Sequence, residues 1–266
     1  MKKVAIVIPF YKQNLSAYEK ISLQQCQKTL SRHDIVAIKP DQLLLPSLSN
    51  LIEFDNVINF SNHYFQDIAG YNRLMLSAEF YKAFLNYEYI LVYQMDCFVF
   101  YDGLSDWCNQ NWDYIGAPWI KKTYHKDPIS LLFSKLKRRI VSQFNFGDNS
   151  SPNQRQLDNQ VGNGGFSLRR VAKFHDLCLL LKPIVDDYLS ANDHLHNEDV
   201  FWSIEVNREQ RILHIPSCTT ALKFAVEVPP IRIKNLTPKD FPFGCHDWDK
   251  YADYWRPVFK TLGYNI

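Results

Sequence analysis

Residues 4–8 read Val-Ala-Ile-Val-Ile, an unbroken apolar run rich in β-branched side chains. A strand with one wet face alternates apolar and polar residues. A run without polar interruption is what a strand buried on both faces requires, as in a parallel sheet covered by helices. The flanking sequence supplies such helices. Asn14 is placed to cap a helix ending near Leu30, and Ile35–Ile38 reads as a second short strand. Leu74, Ala78, Tyr81 and Leu85 recur at helical spacing within Tyr71–Leu85, directly before the apolar run Tyr89–Tyr93. Phe98–Phe100 is the next strand, set off by the polar interruption Gln94-Met95-Asp96. The stretch VGNGGFSLRR (161–170) reads as a Gly-rich turn passing through a short strand into a helix over Val171–Leu181. A second helix opens near Asn197, a strand follows at Arg211–Ile215, and a polar-aromatic tail closes the chain. The expected fold is α/β: a mixed, mainly parallel sheet flanked by helices, in a single domain over 1–266.

With 266 residues, 46% hydrophobic and 15% aromatic, the chain can bury one large core. A net charge of +2 sets up no field that would draw it to nucleic acid. The six cysteines form no CxxC pair and no short-spaced His/Cys cluster, so free thiols and a cytoplasmic location are expected. No apolar stretch reaches the roughly 18 residues of a membrane span. Residues 121–160 change character. They hold the basic amphipathic stretch SLLFSKLKRRI (130–140) and then a Gly/Asp/Asn/Ser-rich tract, read as an insertion with a mobile loop between halves at 1–120 and 161–266. The basic stretch has two readings: peripheral contact with an anionic inner membrane, or a solvated helix beside a lid.

Four segments carry chemistry. In YILVYQMDCFVF (89–100) an apolar strand delivers Asp96 at its C-terminal end, the edge where open α/β sheets bind ligands. Such a carboxylate either closes a turn or holds a hard cation whose shell is completed by phosphate oxygens and water. In VGNGGFSLRR the glycines let backbone amides approach a ligand. In HLHNEDVFWSIEV (194–206) Asn197 is positioned as a helix cap, and Glu198 and Asp199 occupy the first turn, where the helix dipole lowers a carboxyl pKa. One of the two could still serve as a general base. In FPFGCHDWDKY (241–251) His246 is a structural residue or, if it meets Asp96 in space, a metal ligand.

In this order the four segments resemble the motif set of GT-A glycosyltransferases. More narrowly, YNRLMLSAEFYKAF, YILVYQMD, WDYIGAPW, VGNGGFSLRR, NEDVFW and FPFGCHDW, running from Tyr71 to Trp248, resemble an uncharacterised bacterial family of GT-A-like proteins associated with surface polysaccharides. The resemblance implies Asp96 and His246 as metal ligands for Mn²⁺ or Mg²⁺, and Asp199 as general base with Glu198 beside it. It implies that Pro9, Phe10, Tyr11, Arg73 and Gln94 contact the nucleotide, and that Asn163, Gly164, Gly165 and Trp119 contact the donor or acceptor sugar. Its implied partners are a nucleotide-sugar donor and a glycan or lipid-linked glycan acceptor; the near-neutral charge implies no nucleic acid, and the basic stretch 130–140 is what would bring the chain to the cytoplasmic face of the inner membrane. One departure stands out: Gln94 holds the place of the usual first aspartate. The expected mechanism is inverting transfer with Asp199 as base; retaining transfer and a decayed, binding-only protein are the alternatives.

Overall fold

The computed structural model describes residues 1–120, 154–191, 196–228 and 241–266. Strand β1 (Lys2–Pro9) pairs in parallel with β2 (Asp34–Pro40) on one side, and β2 carries β3 (Asn56–Phe60) at the edge. On its other side β1 pairs in parallel with β4 (Tyr87–Tyr93). Beyond the short β5 (Phe98–Val99) come β6 (Tyr114–Pro118) and β7 (Val161–Arg170), and β7 runs antiparallel between β4 and β6. The six-stranded order is β3-β2-β1-β4-β7-β6, a mixed and mainly parallel sheet flanked by helices.

The two-faced burial expected of residues 4–8 is realised residue by residue. Val4, Ile6, Ile8, Tyr89, Leu91 and Tyr93 join one core with Leu23, Cys26 and Leu30 of the helix Ala17–Leu30. Ala5, Val7, Ile90 and Val92 face the opposite core with Leu74, Phe80, Tyr81, Phe174 and Trp202. A small second sheet, β5-β9-β8, is built from β5, β8 (Ala225–Val226) and β9 (Gly244–Cys245). It is backed by Trp248, Trp255 and Phe259, with Phe259 stacked on Phe98 at 4.0 Å between ring centres.

Several local expectations are corrected. Ser16, not Asn14, caps the first helix: its Oγ accepts from the Glu19 amide and Glu19 reaches back to the Ser16 amide, a capping box. The helix expected over Tyr71–Leu85 is two helices, Ile68–Met75 and Ala78–Lys82. The break falls at Ser77, whose hydroxyl caps the second by accepting from Phe80 N. VGNGGFSLRR holds no turn; it is the continuous strand β7. Arg211–Ile215 forms no strand, because Asn207 Oδ1 accepts from the amides of Ile212 and Leu213 and occupies the donors a ladder would use. The tail is ordered as β9 and the helix Ala252–Thr261. The basic stretch 130–140 and most of the expected insertion lie outside the described residues. Among the described residues no helix is long and apolar enough to cross a membrane, and none of the six cysteines forms a disulfide.

Candidate active site

A cleft of about 870 Å³ opens at the C-terminal ends of β1 and β4. Pro9 and Tyr11 reach it from the end of β1, Gln94 and Asp96 from the turn after β4, and Asn163, Gly164 and Gly165 from β7. Glu198 and Asp199 enter from the helix Glu198–Ser203, and His246 follows β9. Three expected contacts are absent from its lining. Phe10 is fully buried, edge-on to Phe54 at 5.6 Å between ring centres. Arg73 is exposed on the helix Ile68–Met75, and the Trp119 ring lies against Gly162.

The small sheet assembles the metal-type donors. β8 and β9 pair in parallel with Val226 opposite Cys245, so Glu227 and His246, which follow them, emerge side by side. β5 pairs with β9 through Phe98 and Cys245, which brings Asp96 to the same point. His246 Nε2 lies 3.1 Å from Gln94 Oε1 and 3.3 Å from Asp96 Oδ1, and its Nδ1 lies 4.0 Å from Glu227 Oε1. Burial opposes ionisation of Asp96, but the neighbouring His246 outweighs it and the carboxyl pKa falls below its ordinary value. Burial likewise opposes protonation of His246, and Asp96 with Asp247 and Glu227 turns the balance upward. The 3.3 Å contact is an ion-pair approach rather than an aligned hydrogen bond: among the described residues, Asp96 Oδ1 and His246 Nδ1 are both buried without a hydrogen-bond partner. Orphaned, clustered O and N donors of this kind fit a divalent cation.

The acidic pair divides its roles. Glu198 is buried and forms a two-pronged ion pair with Arg169, both contacts at 3.0 Å. Arg169 is itself fully buried and also donates to Tyr81 Oη, Ser167 Oγ and the Gly164 carbonyl. Glu198 is therefore a strut between β7 and the helix start. Asp199 remains partly open to the cleft, accepting from Val200 N at 2.8 Å and Gly164 N at 3.4 Å. The helix dipole was expected to lower its pKa; burial and the charge of Glu198 push it up to about 7 instead. Asn197 stands at the cap position without capping. Its Oδ1 accepts from Asn72 Nδ2, and Asn72 Oδ1 in turn receives the Glu198 amide.

Arg169, Glu227 and Asn72 had not been singled out from the sequence. The alternation Phe166, Leu168 against Ser167, Arg169 would have placed the arginine on one strand face, but nothing local names its partner 29 residues away. Glu227 follows a buried apolar pair and carries no local signal. The cleft is acidic: Glu19, Asp67, Asp96, Glu198, Asp199, Glu227, Asp247 and Asp249 line it, against Lys12 and Lys250. Both lysines are already paired, with Glu19 and Asp247.

No curated protein matches the sequence. Among solved structures, the glycosyltransferase GlyE of Streptococcus pneumoniae TIGR4 matches at 14% identity and a TM-score of 0.45, over 93% of this chain and 55% of that one. This chain thus spans little more than half the length of that protein. A family model described as "Protein of unknown function (DUF5672)" matches residues 55–246, from just before β3 through His246. That span covers well over half of the sequence and includes Asp96, β7, Asp199 and His246, and the chain belongs to the DUF5672 family.

Proposed function

We propose that this protein is a GT-A-type glycosyltransferase that moves a sugar from a nucleoside-diphosphate donor to a glycan hydroxyl, with inversion. The observation that carries the reading is Asp199: a partly exposed carboxyl with a pKa near 7, in the same cleft as a cluster of cation-type donors. A group tuned to that range keeps a large ionised fraction at neutral pH and is basic enough to accept a proton. Asp199 takes the proton of the acceptor hydroxyl as that oxygen bonds to the anomeric carbon. The bond from that carbon to the diphosphate breaks on the opposite face, and its electron pair leaves with the nucleoside diphosphate.

His246, Glu227 and Asp247 form one group of mutually close ligand atoms and Asp96, Asp247 and Asp249 another; such donors would hold Mn²⁺ or Mg²⁺, which when bound would neutralise the departing diphosphate. The acidity of the cleft supports that role, since a diphosphate entering it without a cation meets mostly carboxylates. Asn163, Gly164 and Gly165 border the sugar in this reading, and Pro9, Tyr11 and Gln94 the nucleotide. A surface-polysaccharide acceptor follows from the resemblance of the motifs, and the basic stretch 130–140 supports a lipid-linked one at the cytoplasmic face of the inner membrane. Binding of the protein to anionic vesicles in a flotation assay tests the membrane part.

The decisive experiment is a thermal-shift panel of nucleoside diphosphates and nucleotide sugars with and without Mn²⁺, followed by turnover of the stabilising donor by wild type and Asp199→Asn. A metal-dependent shift, with turnover lost and donor binding kept in the variant, is the expected result. The absence of a shift with every nucleotide overturns the reading. Full turnover by Asp199→Asn removes Asp199 as base and points to retaining transfer.

A further inference from the structure

We infer that the divalent cation sits on the Nδ1 side of His246, held by His246 Nδ1, Glu227 and Asp247, and that Gln94 sets this geometry by keeping the imidazole proton on Nε2. The inference rests on the cation of the proposed function, but not on glycosyl transfer itself.

A neutral imidazole has one N–H and one lone pair, and the neighbours decide which nitrogen holds which. Gln94 Oε1, 3.1 Å from Nε2, only accepts hydrogen bonds, and so does Asp96 Oδ1 at 3.3 Å. The Gln94 hydrogen bond calls for the proton on Nε2, and the negative charge of Asp96 on the same edge favours it there. The Nε2 edge is also crowded: a Cβ built on Gly165 would fall 2.1 Å from Nε2, so the Gly165 backbone packs against that atom. A cation displaces any proton from Nδ1, which is then the nitrogen left to supply the lone pair. His246 is 7% exposed, and Nδ1 is buried with no hydrogen-bond partner among the described residues. It faces Glu227 Oε1 across 4.0 Å, within twice the roughly 2.1 Å of a metal–ligand bond.

Asp247 completes the set, with one ligand atom from each of the three residues within 4.8 Å of the others. Its backbone is left-handed, φ 53°, a conformation aspartate tolerates better than most residues. Adjacent residues His246 and Asp247 can thereby address one point. The parallel register of β8 and β9 delivers Glu227 there independently. Gln94 is on this account a positioning residue, which acts on the cation through the imidazole.

The test uses metal alone. Mn²⁺ titration followed by the EPR signal of the free ion is expected to show at least about tenfold weaker binding for Glu227→Gln than for wild type, since even outer-sphere partners are worth that much. The amide keeps the oxygen that accepts from Asn163 Nδ2, so an unchanged metal-free melting temperature checks the fold. Unaltered Mn²⁺ affinity in a folded Glu227→Gln protein overturns the inference. Without any substitution, long-range ¹H–¹⁵N spectra of histidine-labelled protein titrated with Zn²⁺ are expected to move the Nδ1 resonance of His246 while Nε2 keeps its proton. Deprotonation of Nε2, or a persistent Nδ1 proton at saturation, also overturns it. Either result stands apart from turnover, so an active enzyme with unaltered Glu227→Gln affinity refutes this inference alone.

Discussion

The Arg169–Glu198 pair offers the most demanding test of how the site is held. The guanidinium has five N–H donors, and each meets an acceptor: Nε meets Ser167 Oγ, Nη1 meets Tyr81 Oη and Glu198 Oε2, and Nη2 meets the Gly164 carbonyl and Glu198 Oε1. Both partners are buried, at 0% and 6% side-chain exposure. Glu198→Gln removes the countercharge and turns an amide NH₂ toward a guanidinium that cannot lose its proton. Breaking a buried pair from one side costs about 3–5 kcal/mol, which for a domain of this size lowers the melting temperature by roughly 6–20 °C. The assay is thermal and urea unfolding of wild type, Glu198→Gln, Arg169→Met and the double variant. The double variant should be less destabilised than the sum of the singles, because the orphaned charge has gone. A loss below about 1 kcal/mol for Glu198→Gln, the range of exposed pairs, or strict additivity in the cycle, would refute the strut. Well below its melting temperature the variant should retain activity, with the acidic limb of its pH–rate profile moved to lower pH. Glu198 is one of the groups raising the pKa of Asp199, and its charge is then absent.

Asp199 itself should show a cost in stability. Its folded pKa, about 7, lies above the unfolded carboxyl value, so between those values the folded state binds more protons and stability falls as pH rises. The cost is complete above pH 7 and absent below the unfolded pKa. Asp199→Asn should therefore gain stability over wild type at pH 8 relative to pH 5, on the order of 2 kcal/mol, and a pH-independent difference in melting temperature would contradict the assigned environment. Gly165→Ala should displace His246, because its Cβ would meet Nε2 at 2.1 Å. A stability loss of about 1–3 kcal/mol from overpacking and weakened Mn²⁺ binding are expected in melts and titrations. Ser16→Ala should cost about 1 kcal/mol by urea unfolding, while Asn14→Ala should cost nothing measurable, in line with the observed cap.

The part of this protein that local sequence determines is the part governed by short-range periodicity. Val4–Ile8 and Tyr89–Tyr93 announce a sheet covered on both faces, since only there can consecutive apolar residues all leave water, and alternate side chains do go to opposite cores. Asp96 at the strand end, and Glu198 with Asp199 at a helix start, follow from the same local rules. What those residues do was decided in three dimensions. The glycines of β7 look like turn formers in sequence, yet they lie within a strand because the Glu198 carboxylate and the His246 ring occupy the space where the Cβ atoms of Gly164 and Gly165 would be. The pKa of Asp199 rises where the helix dipole alone would lower it, because burial beside Glu198 is stronger than the field of a six-residue helix. Glu227 reaches His246 only through the register of two short strands, and Arg169 reaches Glu198 only because β7 packs on the helix that begins there. Electrostatics and close contact depend on distances between residues far apart in the chain, and only the tertiary structure sets those distances.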